Sequence, residues 1–311
     1  QGNWLVSQNL SSDLILRKNT GRRRTSSSFD QYSSNSSRQW ARWENWFNDD
    51  NFMIPLDVLD AFGLTHTATP LPGGQGNSWH VGDFVLKPHE ESYEGISLMV
   101  NQLKPVNFRV SYHHKTLAGN FTYQGWWCTH FESGEEVTGR ITEKYAIART
   151  LHDLFRNIEK PHNWRPSNSP WSRSHEIVWG ERELPDTLHP EIAKTIRKIS
   201  KQLVPIHLKN QIIHGDLCWN ILFHEKLPPV VIDFSLDYRP REYAEAILIA
   251  DSIAWENGGD EACSLLPPHS EQILLRACLF RLTTKALLKP QDIENFRERS
   301  GGYQKIIHWI F

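Results

Sequence analysis

Apolar residues recur at helical spacing through most of the second half of the chain. In ITEKYAIARTLHDLF, Ile141, Tyr145, Ala148, Leu151 and Phe155 fall on one face, which predicts an amphipathic helix. Ile192, Ile196, Ile199 and Leu203 repeat the pattern in PEIAKTIRKISKQL. REYAEAILIADSIAW and SEQILLRACLFRLTTKALL are apolar on more than one face and predict buried helices. The earlier part reads differently. IPLDVLDAFGL predicts a short helix ending at Gly63, and SYEGISLMVNQL another helix. Between and after them, DFVLK, NFRVSYHH and YQGWWCTHF are short runs rich in aromatic and β-branched residues, which predict strands. No internal repeat is visible.

These patterns divide the chain. Residues 1–52 contain NTGRRRTSSSFDQYSSNSSRQW, rich in Ser, Asn and Arg and nearly free of aliphatic side chains. Such a segment cannot bury enough surface to offset its ordering entropy, so it is read as flexible or loosely docked. Trp40, Trp43, Trp46 and Phe47 have helical spacing and offer a way to dock. Residues 53–132 predict a small sheet with one helix, and residues 133–311 a mainly helical body. Glu159 to Pro185 reads as a long insertion rich in Pro and Trp with little periodicity.

Composition narrows the function classes. The chain has 311 residues, 13 Trp and a formal net charge of -2, which gives no electrostatic case for nucleic acid. Its 4 cysteines include no C-x-x-C pair, so neither a zinc site nor a disulfide framework is indicated and a cytoplasmic setting is expected. No apolar run reaches membrane-spanning length.

The chemistry concentrates in IIHGDLCWNILFHEKLPPVVIDF, residues 212–234. QIIHGDL predicts a strand ending in a polar turn. NILF and PVVIDF predict a hairpin around HEKLPP, which brings Asn220 at the start of one strand near Asp233 at the end of the next. An amide oxygen beside a carboxylate suits a hard divalent cation such as Mg²⁺, which shares oxygen ligands with phosphates. Asp216, in the loop before the hairpin, is placed to take a proton from a hydroxyl, and His214 to brace that loop from inside.

HGDLCWN followed by VIDF resembles the aminoglycoside-phosphotransferase and choline-kinase superfamily. LPGGQGNSWHVGDFVLKP resembles the nucleotide loop and strand lysine of a bacterial branch of that superfamily. The resemblance spans about Met53 to Trp255 and implies an α+β, two-lobed, protein-kinase-like fold with a small antiparallel-sheet lobe and a mainly helical lobe. It implies Asp216 as catalytic base, assisted by His214, and Asn220 with Asp233 as Mg²⁺ ligands. It implies Lys87, Gly73, Gly74, Gly76 and Ser78 around the phosphates of ATP, and Glu94, or else Glu91, as the ion-pair partner of Lys87. Backbone groups from Cys128 to His130 would read the adenine.

The pattern departs from the commoner one in three places. The gap from Asp216 to Asn220 is one residue shorter, the second motif lacks a following glycine, and the glycine loop is not G-x-G-x-x-G. His113 and His114 have no metal-ligand spacing. Cys218 has no visible base partner and reads as a packing residue. Asp237 reads as a helix N-cap or loop residue.

The expected activity is transfer of the γ-phosphate of Mg-ATP to a hydroxyl of a small molecule. After Glu256 the chain carries six acidic and seven basic residues, which does not favour a polycationic acceptor. Two alternatives stand beside it. One is a nucleotide-binding protein without transfer. The other is a protein Ser/Thr kinase, for which the few residues of SLDYRP after Phe234 leave no room for a long activation loop.

Overall fold

A computed structural model describes residues 54–72, 76–88 and 93–310. The N-terminal segment, Gly73, Gly74 and Glu91 therefore lie outside the described residues. The first elements are helix α1 (Leu56–Ala61), closed by Gly63 at φ 69°, and strands β1 (Thr69–Pro70), β2 (Trp79–Val81) and β3 (Phe84–Pro88). Helix α2 (Tyr93–Val100), then β4 (Arg109–Val110), β5 (His113–His114), β6 (Thr122–Tyr123) and β7 (Trp126–His130) follow. Five of these strands run in the order β1-β2-β3-β7-β5, with β6 also against β7, in one antiparallel sheet. Gly76 and Ser78 lie on the connection between β1 and β2, which pair antiparallel.

The exception is β4. It leaves this sheet and pairs in parallel with β11 (Val230–Val231), the second strand of the hairpin foreseen from sequence. Strands β10 (Ile221–Phe223) and β11 form that hairpin, and β8 (Glu135–Glu136) closes its other edge. The remaining strands, β9 (Asn210–His214) and β12 (Leu236–Pro240), pair antiparallel with Leu236 opposite His214. SLDYRP is thus a strand rather than a short link to a helix, and Asp237 is one of its buried residues rather than an N-cap.

The helices α3 (Ile141–Phe155), α5 (Pro190–Ser200), α6 (Arg241–Trp255) and α8 (Glu271–Leu288) lie where periodicity predicts them. Two others do not follow from periodicity. Within the Trp-rich insertion, α4 (Pro170–Val178) starts on Ser169, whose Oγ accepts from the Ser172 N–H at 3.2 Å, with Pro170 in the first turn. α9 (Ile293–Ile310) carries Gly301 and Gly302 at its middle. There α9 crosses α6 so closely that a Cβ on Gly302 would meet Ala254 Cα and O at 2.8 Å. The short α7 (Gly259–Ser264) completes the set. Among the described residues no helix is long and apolar enough to cross a membrane.

One buried apolar cluster runs from α2 (Ile96, Met99) through α3 to Leu217, Cys218, Ile221, Val231 and Phe234. This explains why polar residues of the hairpin stand in an apolar run. Leu217 and Cys218 turn inward and anchor the loop, while Asp216 and Asn220, on either side of them, stay partly exposed. Burial pushes the Cys218 thiol far above its ordinary range, in keeping with packing.

Candidate active site

His214, at the end of β9, is fully buried and neutral, since burial pulls its pKa down against the charge of Asp216. Its Nδ1 accepts from the Asp216 N–H at 3.2 Å, and its Nε2 lies 3.3 Å from the Ile232 carbonyl oxygen. One ring therefore ties the loop carrying Asp216 to the strand end leading into Asp233. Its own N–H donates to His152 Nε2 at 3.3 Å. Gly215 backs onto α4, where a Cβ would meet His175 Nε2 at 3.0 Å, so the insertion helix props the loop from behind.

Asn220 donates from Nδ2 to the Asp216 carbonyl at 2.7 Å, and its own carbonyl accepts from the Ile232 N–H at 3.0 Å. Among the described residues its Oδ1 carries no hydrogen bond. Asp233 sits at φ 51°, a left-handed conformation that aspartate tolerates, and it breaks the strand at this point. Its Oδ1 lies 3.0 Å from Lys87 Nζ. Burial alone would raise the Asp233 carboxyl, but the Lys87 charge and hydrogen bond hold it below the usual aspartate value. Asn220 Oδ1 and the second Asp233 oxygen are two oxygen donors on neighbouring strand ends, a set that fits part of the shell of a hard cation. Among the described residues no group of three or more His, Cys, Asp or Glu side chains could hold a metal.

Lys87 stands on β3 opposite Trp127, with Nζ 6.0 Å from the Trp127 ring centroid. The expected pairing with Glu94 is absent. Glu94 instead accepts from the Phe121 N–H at 3.2 Å, because it points along α2 toward the loop before β6. What α2 presents to the sheet here is Ser97, whose Oγ lies 2.5 Å from Nδ1 of His113. Burial pulls His113 down to about 3, so this contact is neutral. Gly76 takes φ 70°, and Ser78, whose carbonyl accepts from the Leu71 N–H at 2.9 Å, leads into β2.

The segment from Cys128 to His130, expected to read the adenine, lies within the sheet. Cys128 is held between β3 and β5. His130 donates its N–H to Tyr112 O at 2.9 Å and accepts from Ser111 Oγ at 2.7 Å. A strand with neighbours on both edges has its backbone groups spent in the ladder. The chain leaves the sheet only after Phe131, so the connection to the helical body is 132–134. Arg109 fixes it there by an ion pair to Glu132 and a 2.8 Å bond to Ser133 O, while Nε reaches Pro228 O at 3.0 Å.

Asp216 has partners the sequence did not suggest. Arg281, from α8, donates from Nη2 to Asp216 Oδ1 at 2.6 Å and from Nε to Asp251 Oδ1 at 2.9 Å. Tyr303, from α9, donates to the same Asp251 oxygen at 2.6 Å, and Trp255 Nε1 donates to the Tyr303 hydroxyl at 2.7 Å. Burial alone would lower Arg281, but Asp251 and Asp216 keep it charged. Asp216 Oδ2 carries no hydrogen bond among the described residues. Asp237 belongs elsewhere: it lies 3.3 Å from Arg239 Nε, and burial pushes its carboxyl up to about 6.

The small antiparallel sheet and the mainly helical body define a two-lobed, protein-kinase-like fold. No protein-family model and no curated protein matches the sequence. Solved structures do. Amicoumacin kinase hAmiN, in complex with AMP-PNP, Ca²⁺ and Ami, superposes with a TM-score of 0.57 at 12% identity, over 86% of this chain and 96% of that one. A thermostable mutant of aminoglycoside phosphotransferase APH(4)-Ia, with ADP and hygromycin B, gives 0.53 at 13% identity, over 82% and 98%. Choline kinase LicA from Streptococcus pneumoniae gives 0.50 at 12%, over 82% and 96%. At these identities the likeness is one of fold.

Proposed function

We propose that this protein transfers the γ-phosphate of ATP to a hydroxyl of a small molecule. The observation that carries the reading is the convergence of four side chains from separate elements. Asp216 follows β9, Asn220 precedes β10, Asp233 follows β11, and Lys87 reaches Asp233 from β3 at 3.0 Å. Such a set positions and neutralises phosphates around an attacking oxygen.

In this reading Lys87 holds the α- and β-phosphates, and the loop of Gly73, Gly74, Gly76 and Ser78 closes over them. Segment 132–134 faces the base. Asn220 and Asp233 would hold Mg²⁺, which when bound neutralises charge on the phosphates. Asp216 Oδ2 accepts the proton of the acceptor hydroxyl while Arg281 fixes Oδ1. His214 keeps the Asp216 backbone in register with Asp233. A short β12, spent in pairing with β9, supports a small acceptor over a peptide.

A second reading, nucleotide binding without transfer, has one observation in its favour: the Arg281 bond already engages Asp216. Transfer of labelled γ-phosphate into a metabolite extract separates the two. Asp216→Asn should abolish transfer and leave nucleotide binding largely intact; undiminished turnover in that variant would refute the mechanism.

A further inference from the structure

Two layers of side chains stack beside Asp216. The inner one is Asp251–Arg281–Asp216, already charge-paired. The outer one, four residues further along both α6 and α8, is Trp255–Lys285–Tyr303. Lys285 Nζ lies 5.1 Å from the Trp255 ring centroid and 5.5 Å from that of Tyr303. Trp255 is 39% exposed and Lys285 half-buried, whereas Tyr303 and Asp251 are buried, so this layer opens outward on its Trp255 side. Lys285 is half-buried, yet among the described residues no carboxylate lies within ion-pairing distance of it. The groups that act on its charge are Arg281 and Arg299, which oppose it, and Asp251 and Asp216, which both bond Arg281.

Two consequences follow. An aromatic pair of this kind can receive a ligand ammonium, but here the chain's own ammonium occupies it. And a half-buried cation without a counter-ion gains most from an anion that arrives with the ligand. Burial, then Arg281, pulls Lys285 down to about 8, the mark of a charge held at a cost.

We infer that the acceptor is an anionic alcohol, its carboxylate or phosphate received by Lys285 while its hydroxyl faces Asp216. This rests on the phosphotransferase reading above. Lys285 stands one helical turn, about 6 Å of rise, beyond Arg281, the residue that bonds Asp216.

The test divides a metabolite extract into acidic, neutral and basic fractions and supplies each with labelled ATP. Label is expected in the acidic fraction, with phosphomonoesters and carboxylic acids told apart by phosphatase pretreatment. Lys285→Met should lower kcat/KM for that acceptor about 10- to 100-fold, through KM, with KM for ATP unchanged and partial recovery in Lys285→Arg. Label in the neutral or basic fraction overturns the anionic acceptor and leaves the phosphotransferase reading standing. If no fraction takes label, that reading fails, and the anion site is decided by the rate at which acetic anhydride modifies Lys285, followed by mass spectrometry. Several-fold protection by the acidic fraction alone supports the site; equal rates in all fractions overturn it.

Discussion

Acid should destabilise this fold by an amount the buried histidines set. His113, His152 and His175 are all buried. Burial pulls His113 and His152 down to about 3 and His175 well below its ordinary value. They stay neutral in the fold and protonate on unfolding, so the unfolded chain binds more protons below about pH 6.5 and stability falls with pH. Between about pH 7.5 and about pH 5.5 each forfeits about 1.3 kcal/mol, together about 4 kcal/mol. His214, also pulled down by burial, adds with the same sign. Asp237 acts against them. With its carboxyl raised to about 6 the folded state takes that proton first, which returns about 0.8 kcal/mol over the same interval. These groups together lose about 3 kcal/mol, which Glu245 and Asp251, whose carboxyls burial also raises, act to reduce, against a typical total of roughly 5–15 kcal/mol. Urea unfolding followed by tryptophan fluorescence at the two pH values measures it. His152→Gln should shrink the pH-dependent difference by about 1.3 kcal/mol whatever it does to the absolute stability. Equal free energies at both pH values, or a variant with the full difference, would show the reasoning wrong.

Two further predictions concern packing. Lys144 and Glu256 form a pair at 2.6 Å with neither side chain exposed, and Glu256 Oε2 has no other partner. Lys144→Met should cost about 3–5 kcal/mol in urea unfolding, and adding Glu256→Leu should recover most of it; a double variant no better than the single one contradicts this. Gly302→Ala should cost about 1–3 kcal/mol because α9 must lift off Ala254, and the displaced Tyr303 should slow phosphate transfer; a neutral variant contradicts the close crossing.

What could be read from sequence was whatever is local. Asp216, Asn220 and Asp233 lie within one hairpin unit, so their order and spacing carry the geometry. Arg281 and Tyr303 reach the same place from helices 65 and more residues away, and no short-range spacing links them to Asp216. The long apolar runs marked α6 and α8, and periodicity found α3 and α5 by one apolar face. It passed over α9, where paired glycines argue against a helix until the Ala254 contact is known, and α4, whose signal is the Ser169-Pro170 start rather than its stripe. The aromatic run around Cys128 marks a strand but not where that strand leaves its sheet, so the connection at 132–134 was not legible. Glu94 was chosen by depth into α2, whereas helix rotation turns it toward Phe121.

The crossing of β4 into the sheet of the β10–β11 hairpin bears on how the two sheets can move apart. A lobe attached at one linker can swivel in any direction, like a ball in a socket. Here the chain is sewn to the lower body twice, at β4–β11 and at 132–134, and Arg109 rivets the two seams together. Two fixed points define a line, and the apolar packing of Ile96 and Met99 of α2 against the cluster beneath the hairpin adds a third hold beside it. Rotation about that line is opposed by the Lys87–Asp233 pair at 3.0 Å, which spans from the glycine-bearing sheet to the end of β11 and must break before the two can part.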